Sequence, residues 1–154
     1  MSLKTLTILL ADDDLDDCLF FEQALKAMPV FTKLTAVHDG EQLMALLENK
    51  AKKIPDILFL DLNMPRKNGF ECLTEIKKNK KLKDFPVVIF STSIEEEVVN
   101  LLYNNGAHFF IRKPAEFVSF KKIILYTLTL IMLDNVSRPD KENFVLTYEN
   151  SLSV

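Results

Sequence analysis

Five short apolar runs rich in β-forming residues recur along this 154-residue chain, and a segment with helical spacing follows each one. The runs are TLTILLA (5–11), FTKLTAV (31–37), PDILFLDL (55–62), FPVVIFST (85–92) and AHFFIRK (107–113). The helical segments span 14–28, 39–50, 68–79, 93–106 and 114–133. Strand and helix alternate five times, and the runs lack a clean polar alternation. Strands of that kind are covered on both faces, which predicts an α/β fold with a parallel sheet between two helical layers. The length fits one domain with one core.

Local signals set the expected boundaries. Asp14, Asp39 and Ser93 stand where helix N-caps belong, and Asn68-Gly69 opens the third helix. Gly106 stops the fourth helix, and Pro114 starts the fifth. On the first helix, Leu15, Cys18, Leu19, Phe21 or Glu22, and Leu25 mark the face expected to point inwards; Leu43, Leu46 and Leu47 do so on the second. Phe20-Phe21 and Phe109-Phe110 read as core. The domain is expected to cover 5–133. Residues 134–154 form a C-terminal tail, polar at first and alternating through Phe144-Val145-Leu146-Thr147-Tyr148. That pattern fits either a frayed, disordered end or an added strand acting as a docking arm.

Composition narrows the function classes. A net charge of −3 gives no general attraction to nucleic acid or to anionic membranes. The basic runs Lys50-Ala51-Lys52-Lys53 and Lys77-Lys78-Asn79-Lys80-Lys81 are expected as solvated helix ends. The opening residues reach acids before a signal-peptide cleavage site could form, and the longest apolar run is too short to span a bilayer. The two cysteines, Cys18 and Cys72, are expected as reduced, buried thiols, so a cytoplasmic setting is expected. His38 and His108 lack partner ligands at metal-binding spacing and are read as structural.

The stretch LADDDLDD (10–17) carries the chemical signal, because its apolar residues run straight into clustered acids. In open parallel sheets, ligands bind beyond the carboxyl ends of the strands. Those ends offer Asp12, Asp13 and Asp14, then His38 and Asp39, then Asp61, Leu62 and Asn63, then Ser91, Thr92 and Ser93, and last Arg112, Lys113 and Pro114. Clustered carboxylates disfavour one another's ionisation. A hard divalent cation reverses that cost, and an all-oxygen donor set suits Mg²⁺. Such a metal, a lysine and a hydroxyl are also what is needed to hold a phosphoryl group on a carboxylate nucleophile. Asp61 stands alone after four apolar residues, Ile57 to Leu60, and is the better nucleophile; Asp12 and Asp13 are better placed as a metal pair.

The segments ILLADDD, DILFLDLNMPRKNGFECL, VVIFSTS and HFFIRKP resemble the receiver domain of two-component response regulators, of the chemotaxis-type, single-domain kind. The resemblance covers about residues 5–133 and implies a flavodoxin-like, doubly wound, five-stranded sheet of order 2-1-3-4-5. It implies Asp61 as phosphoacceptor, Asp12, Asp13 and Asp61 with the Asn63 carbonyl as Mg²⁺ ligands, and Ser91 and Lys113 as partners of the phosphoryl group. It implies Ser91 and Phe110 as switch residues and a cis bond before Pro114. A histidine kinase or histidine phosphotransfer protein would supply the phosphoryl group. The fourth helix, fifth strand and fifth helix would form the partner face. The protein is then a signalling acceptor rather than an enzyme, and the 144–148 stretch offers a neighbouring copy an edge for a homodimer. Three rivals remain. A phosphorylation-independent pseudo-receiver would bind partners alone. A Mg-dependent phosphohydrolase would want an acid where Asn63 stands. A flavin or nucleotide binder would need a phosphate cradle where DDDLDD stands.

Overall fold

A computed structural model describes residues 5–29, 31–134 and 138–151. The tail positions 135–137 and 152–154 lie outside the described residues. The elements are β1 (Leu6–Ala11), α1 (Leu15–Lys26), β2 (Thr32–Val37), α2 (Gly40–Glu48), β3 (Ile57–Asp61), α3 (Gly69–Lys78), β4 (Val87–Ser91), α4 (Glu96–Asn104), β5 (Phe109–Arg112), α5 (Phe117–Asp134), a 3₁₀ turn (Lys141–Asn143), β6 (Val145–Leu146) and α6 (Tyr148–Ser151). The sheet order is β2-β1-β3-β4-β5-β6, with every pair parallel. The five expected strands stand in the expected order, and a two-residue sixth strand extends them.

The central strands are buried from end to end: all five residues of β3 and of β4 are buried. Alternate side chains feed two cores. Leu58 and Leu60 of β3 join Leu43, Leu73, Ile76 and Leu102 beneath α2, α3 and α4. Ile57 and Phe59 join Phe21, Phe90, Phe120 and Ile124 beneath α1 and α5. In this second core Phe21 meets Phe59 edge to face at 4.8 Å, and Phe90 meets Phe120 at 5.4 Å. Such ring pairs add about 0.5–1.5 kcal/mol each beyond the area they bury.

Caps explain where the helices begin. Asp14 accepts from the backbone N–H groups of Asp16 and Asp17, and Asp39 accepts from that of Gln42. Asn68 and Glu71 form a reciprocal capping box on α3. Two expected starts shift. Helix α4 begins at Glu96 rather than behind a Ser93 cap, because the Ser93 N–H turns back to the Ser91 hydroxyl at 3.4 Å. Helix α5 begins at Phe117 rather than Pro114, because the Lys113 N–H still donates to the Ser91 carbonyl and prolongs the strand pairing. The inward stripe of α1 also differs. Leu15 and Leu19 are exposed, whereas Phe21, Ala24 and Leu25 are buried.

The tail is docked. Parallel to β5, β6 aligns Val145 with Phe110 and Leu146 with Ile111, while the Phe110 N–H donates to the Phe144 carbonyl. Phe144 is fully buried, with its ring 5.1 Å from that of Tyr103 on α4 and 6.5 Å from that of Phe110. Arg138 lies over the Tyr103 ring and donates to the carbonyls of Tyr103 and Ala107. The Tyr103 hydroxyl donates to the Pro139 carbonyl. Of the two readings of the tail, these contacts favour the added strand. Truncating Phe144 to Ala removes one fully buried ring and should lower stability by about 3–5 kcal/mol, read by denaturant unfolding.

Candidate functional site at the carboxyl edge of the sheet

Asp12 and Asp61 follow from the strand pattern. Each stands where a buried strand runs out, β1 before Asp12 and β3 at Asp61 itself. Neighbouring strands β1 and β3 pair Ala11 with Leu60, which brings the two carboxylates to the same edge. Oxygens of Asp12, Asp13 and Asp61 come within 4.8 Å of one another. Asp12 and Asp61 are buried, and Asp13 is exposed. The Asp14 N–H donates to Asp12 Oδ1 at 2.9 Å and orients that carboxylate.

The β3–α3 loop folds back over the site. A Cβ on Gly69 would stand 2.3 Å from the Asp61 carbonyl oxygen, so only glycine allows this close approach. The Gly69 N–H donates to the Leu62 carbonyl and holds the loop there. Arg66 lies in the left-handed region at φ 69°, and its guanidinium stands 3.6 Å from Asp39.

Lys113 enters from the end of β5. Its Nζ donates to Asp12 Oδ2 and to Asp17 Oδ2, each at 2.8 Å, and lies 3.9 Å from Asp61 Oδ1. It also stands 5.1 Å from the centre of the Phe90 ring. Burial disfavours the ammonium, but the hydrogen bonds to Asp12 and Asp17 outweigh it and raise the Lys113 pKa above the usual lysine value. Burial raises Asp12, and the hydrogen bond from Lys113 only partly opposes that. For Asp61, burial is again the largest influence, the Lys113 charge opposes it, and the neighbouring Asp12 carboxylate adds to it. The net result is a pKa of about 7.

The other expected site residues fall around this centre. Asn63 is exposed beside Asp61, its backbone N–H 3.5 Å from Asp61 Oδ1. Ser91 is buried at the end of β4, the strand next to β3. Phe110 is buried and pinned under Phe144 rather than free at the surface. The expected cis bond before Pro114 is absent: every described peptide bond is trans. An X–Pro bond favours trans by about 0.5–1 kcal/mol, and in this arrangement Lys113 reaches both Asp12 and Asp17 without the cis form. His38 supports the site structurally, with Nδ1 3.1 Å from the Asp12 carbonyl oxygen. His108 Nδ1 accepts from the Val87 N–H inside the fold. Both cysteines are free; burial pushes the Cys18 thiol up to about 12, so it stays protonated beside the acids.

Asp17 beside Lys113 is a site residue to which the sequence assigns no role. A signal was available, since Asp17 lies four residues before buried Phe21 and therefore on the inward stripe of α1. Phe144 was noticed only as part of an alternating tail.

The chain belongs to the response regulator receiver domain family, whose profile matches residues 8–125. Its relatives include the response regulator Rcp1 of Synechocystis sp., 32% identical over 121 residues, which cover 76% of this chain and 82% of that protein. Among solved structures, the Mn²⁺-bound form of Rcp1 superposes with a TM-score of 0.74 at 31% identity, covering 87% of this chain and 99% of that one. The phosphorylated cyanobacterial phytochrome response regulator RcpA superposes with a TM-score of 0.77 at 32% identity, covering 89% and 100%. No helix among the described residues is long and apolar enough to cross a membrane.

The raised Asp61 pKa has a thermodynamic consequence. Between pH 3.8 and about 7 the folded protein holds the Asp61 proton and the unfolded chain does not, so stability falls as pH rises through that window. In metal-free protein, Asp61→Asn should therefore gain stability over the wild type as pH rises from about 4 to about 7. The gain, on the order of a few kcal/mol, is measured by urea unfolding at each pH. A divalent cation should narrow the gap at the upper end.

Proposed function

We propose that this chain is a stand-alone receiver that accepts a phosphoryl group on Asp61 with Mg²⁺, in a two-component phosphorelay, and that it works in the cytoplasm. The observation that carries the reading is the convergence at one sheet edge of three carboxylates within 4.8 Å with the Lys113 ammonium 3.9 Å from Asp61. The Mn²⁺-bound form of Rcp1 and the phosphorylated form of RcpA support it by similarity.

Asp12, Asp13 and Asp61 would hold the Mg²⁺ with the backbone carbonyl of Asn63. The donor set fits: it is all oxygen, it is anionic, and burial leaves it short of positive charge. When bound, the cation screens the acids from one another and neutralises oxygens of the transferred group. The chain's own residues do the rest. The ionised Asp61 attacks the phosphorus of a phosphohistidine on a histidine kinase or phosphotransfer protein. An O–P bond forms as the P–N bond breaks, and the imidazole leaves. Lys113 offers its ammonium to one phosphoryl oxygen, and the Ser91 hydroxyl donates to another. The pull on Ser91 and Lys113 strains the ends of β4 and β5, and the strain reaches Phe110 and the α4-β5-α5 face where a downstream partner or a second copy docks. In this chain Phe144 and β6 are part of that face. The role is that of a signalling acceptor, not of a turnover enzyme.

Intact-mass analysis after incubation with acetyl phosphate tests the reading. The wild type should gain one phosphoryl group in a Mg²⁺-dependent manner, and Asp61→Asn should gain none. An Asp61→Asn protein that labels normally defeats the assignment. A wild type that binds Mg²⁺ but refuses phosphate from both acetyl phosphate and phosphorylated kinases favours the pseudo-receiver.

A further inference from the structure

We infer that Asp17 is a positioning residue that parks the Lys113 ammonium in the unphosphorylated protein and competes with the phosphoryl group on Asp61 for it. The inference deepens the reading of Asp61 as phosphoacceptor and rests on it.

Lys113 has three carboxylate neighbours: Asp12 and Asp17, each at 2.8 Å, and Asp61 at 3.9 Å. Two of these, Asp12 and Asp61, belong to the cluster with metal-binding geometry; Asp17 does not. Asp12 shares its carboxylate between that cluster, the Asp14 N–H and Lys113. Asp17 stands outside that cluster, so its carboxylate is not shared with a metal there. Its place is also fixed. Asp17 sits in the first turn of α1, its own N–H 3.3 Å from the capping Asp14 carboxylate, at the end of a helix that favours negative charge.

The ammonium has three N–H donors. Two are spent on Asp12 and Asp17. The third is left for an oxygen of a phosphoryl group on Asp61, and drawing Nζ from its present 3.9 Å towards Asp61 works against the contact it holds to Asp17 at 2.8 Å. Asp12 and Asp61 lie on adjacent strands, whereas Asp17 lies on the helix beyond Asp12. The ammonium thus rests closer to Asp17 than to Asp61, at 2.8 Å against 3.9 Å. Its side chain is 27% exposed, against 6% for Lys113. Water thus weakens this contact enough for it to yield, as a resting place must.

A double-mutant cycle on the full chain tests this. The rate of phosphorylation by acetyl phosphate with Mg²⁺ is measured for wild type, Asp17→Asn, Lys113→Met and the double variant. Asp17→Asn should speed labelling roughly 1.5- to fivefold, the range open to a partly exposed ion pair. Asp17→Glu should restore the wild-type rate. In the Lys113→Met background, Asp17→Asn should change nothing. Labelling that is unchanged or slower in a folded Asp17→Asn protein overturns the inference. So does a gain of equal size in the Lys113→Met background, which would mark a through-space effect on the anionic donor. The second readout uses metal-free protein and no phosphate. The Lys113 ammonium protons, followed by NMR at low temperature, should exchange with water several-fold faster in Asp17→Asn and at the wild-type rate in Asp17→Glu. Unchanged exchange shows that Asp17 does not hold the lysine. A wild type that labels neither from acetyl phosphate nor from phosphorylated kinases defeats the phosphoacceptor reading instead, while the exchange experiment still judges the hold of Asp17 on Lys113.

Discussion

Lys113 places one positive charge among the carboxylates of Asp12, Asp17 and Asp61, at an edge where burial favours their neutral forms. Much of the architecture serves that single contact. Lys113 can reach the acids because β5 lies two places from β3 in the sheet, with β4 between them. The acids face it because β1 and β3 are neighbours and run parallel, so both release their first polar side chains at the same edge. Within so small a volume the cation does not fully neutralise the acids, and Asp61 retains its proton to about pH 7. The fold thus carries a standing electrostatic deficit, of the kind that a divalent cation relieves.

The legible part of this architecture was its period. Five apolar runs and five helical segments prescribed the layers, and the strand ends named Asp12, Asp13, Asp61, Ser91 and Lys113 before any geometry was known. Caps at Asp14 and Asp39 were equally plain, since a short polar side chain before a helical stretch has a local reason to be there. The illegible parts were decided by distant partners. Helix α4 starts late because a serine N–H turns back to a strand-end hydroxyl. Leu15 and Leu19 looked inward by composition, yet the two cores close around Phe21, Ala24 and Leu25 instead. Asp17 carried no signal of its partner, a lysine 96 positions away in the chain.

The two cores differ in character. The layer beneath α1 and α5 holds a cluster of edge-to-face phenylalanines, and Phe90 of that cluster lies against the Lys113 ammonium. Chemistry at the edge therefore rests directly on a stiff aromatic base. The layer beneath α2, α3 and α4 is mostly aliphatic, with Phe110 and Phe144 at its rim. The aliphatic layer is therefore less braced by interlocked rings than the other one.

The strand β6 has a further consequence. By pairing with β5 it takes up backbone groups that an added strand from another protein would use. Any visitor seeking that edge meets it already filled by the chain's own Val145 and Leu146. Its apparent affinity is then its intrinsic affinity multiplied by the fraction of time the edge stands bare. A strand tethered in this way keeps the same local concentration at the edge it fills however dilute the protein is. A change that shifts its occupancy even slightly would alter the response to every such visitor at once.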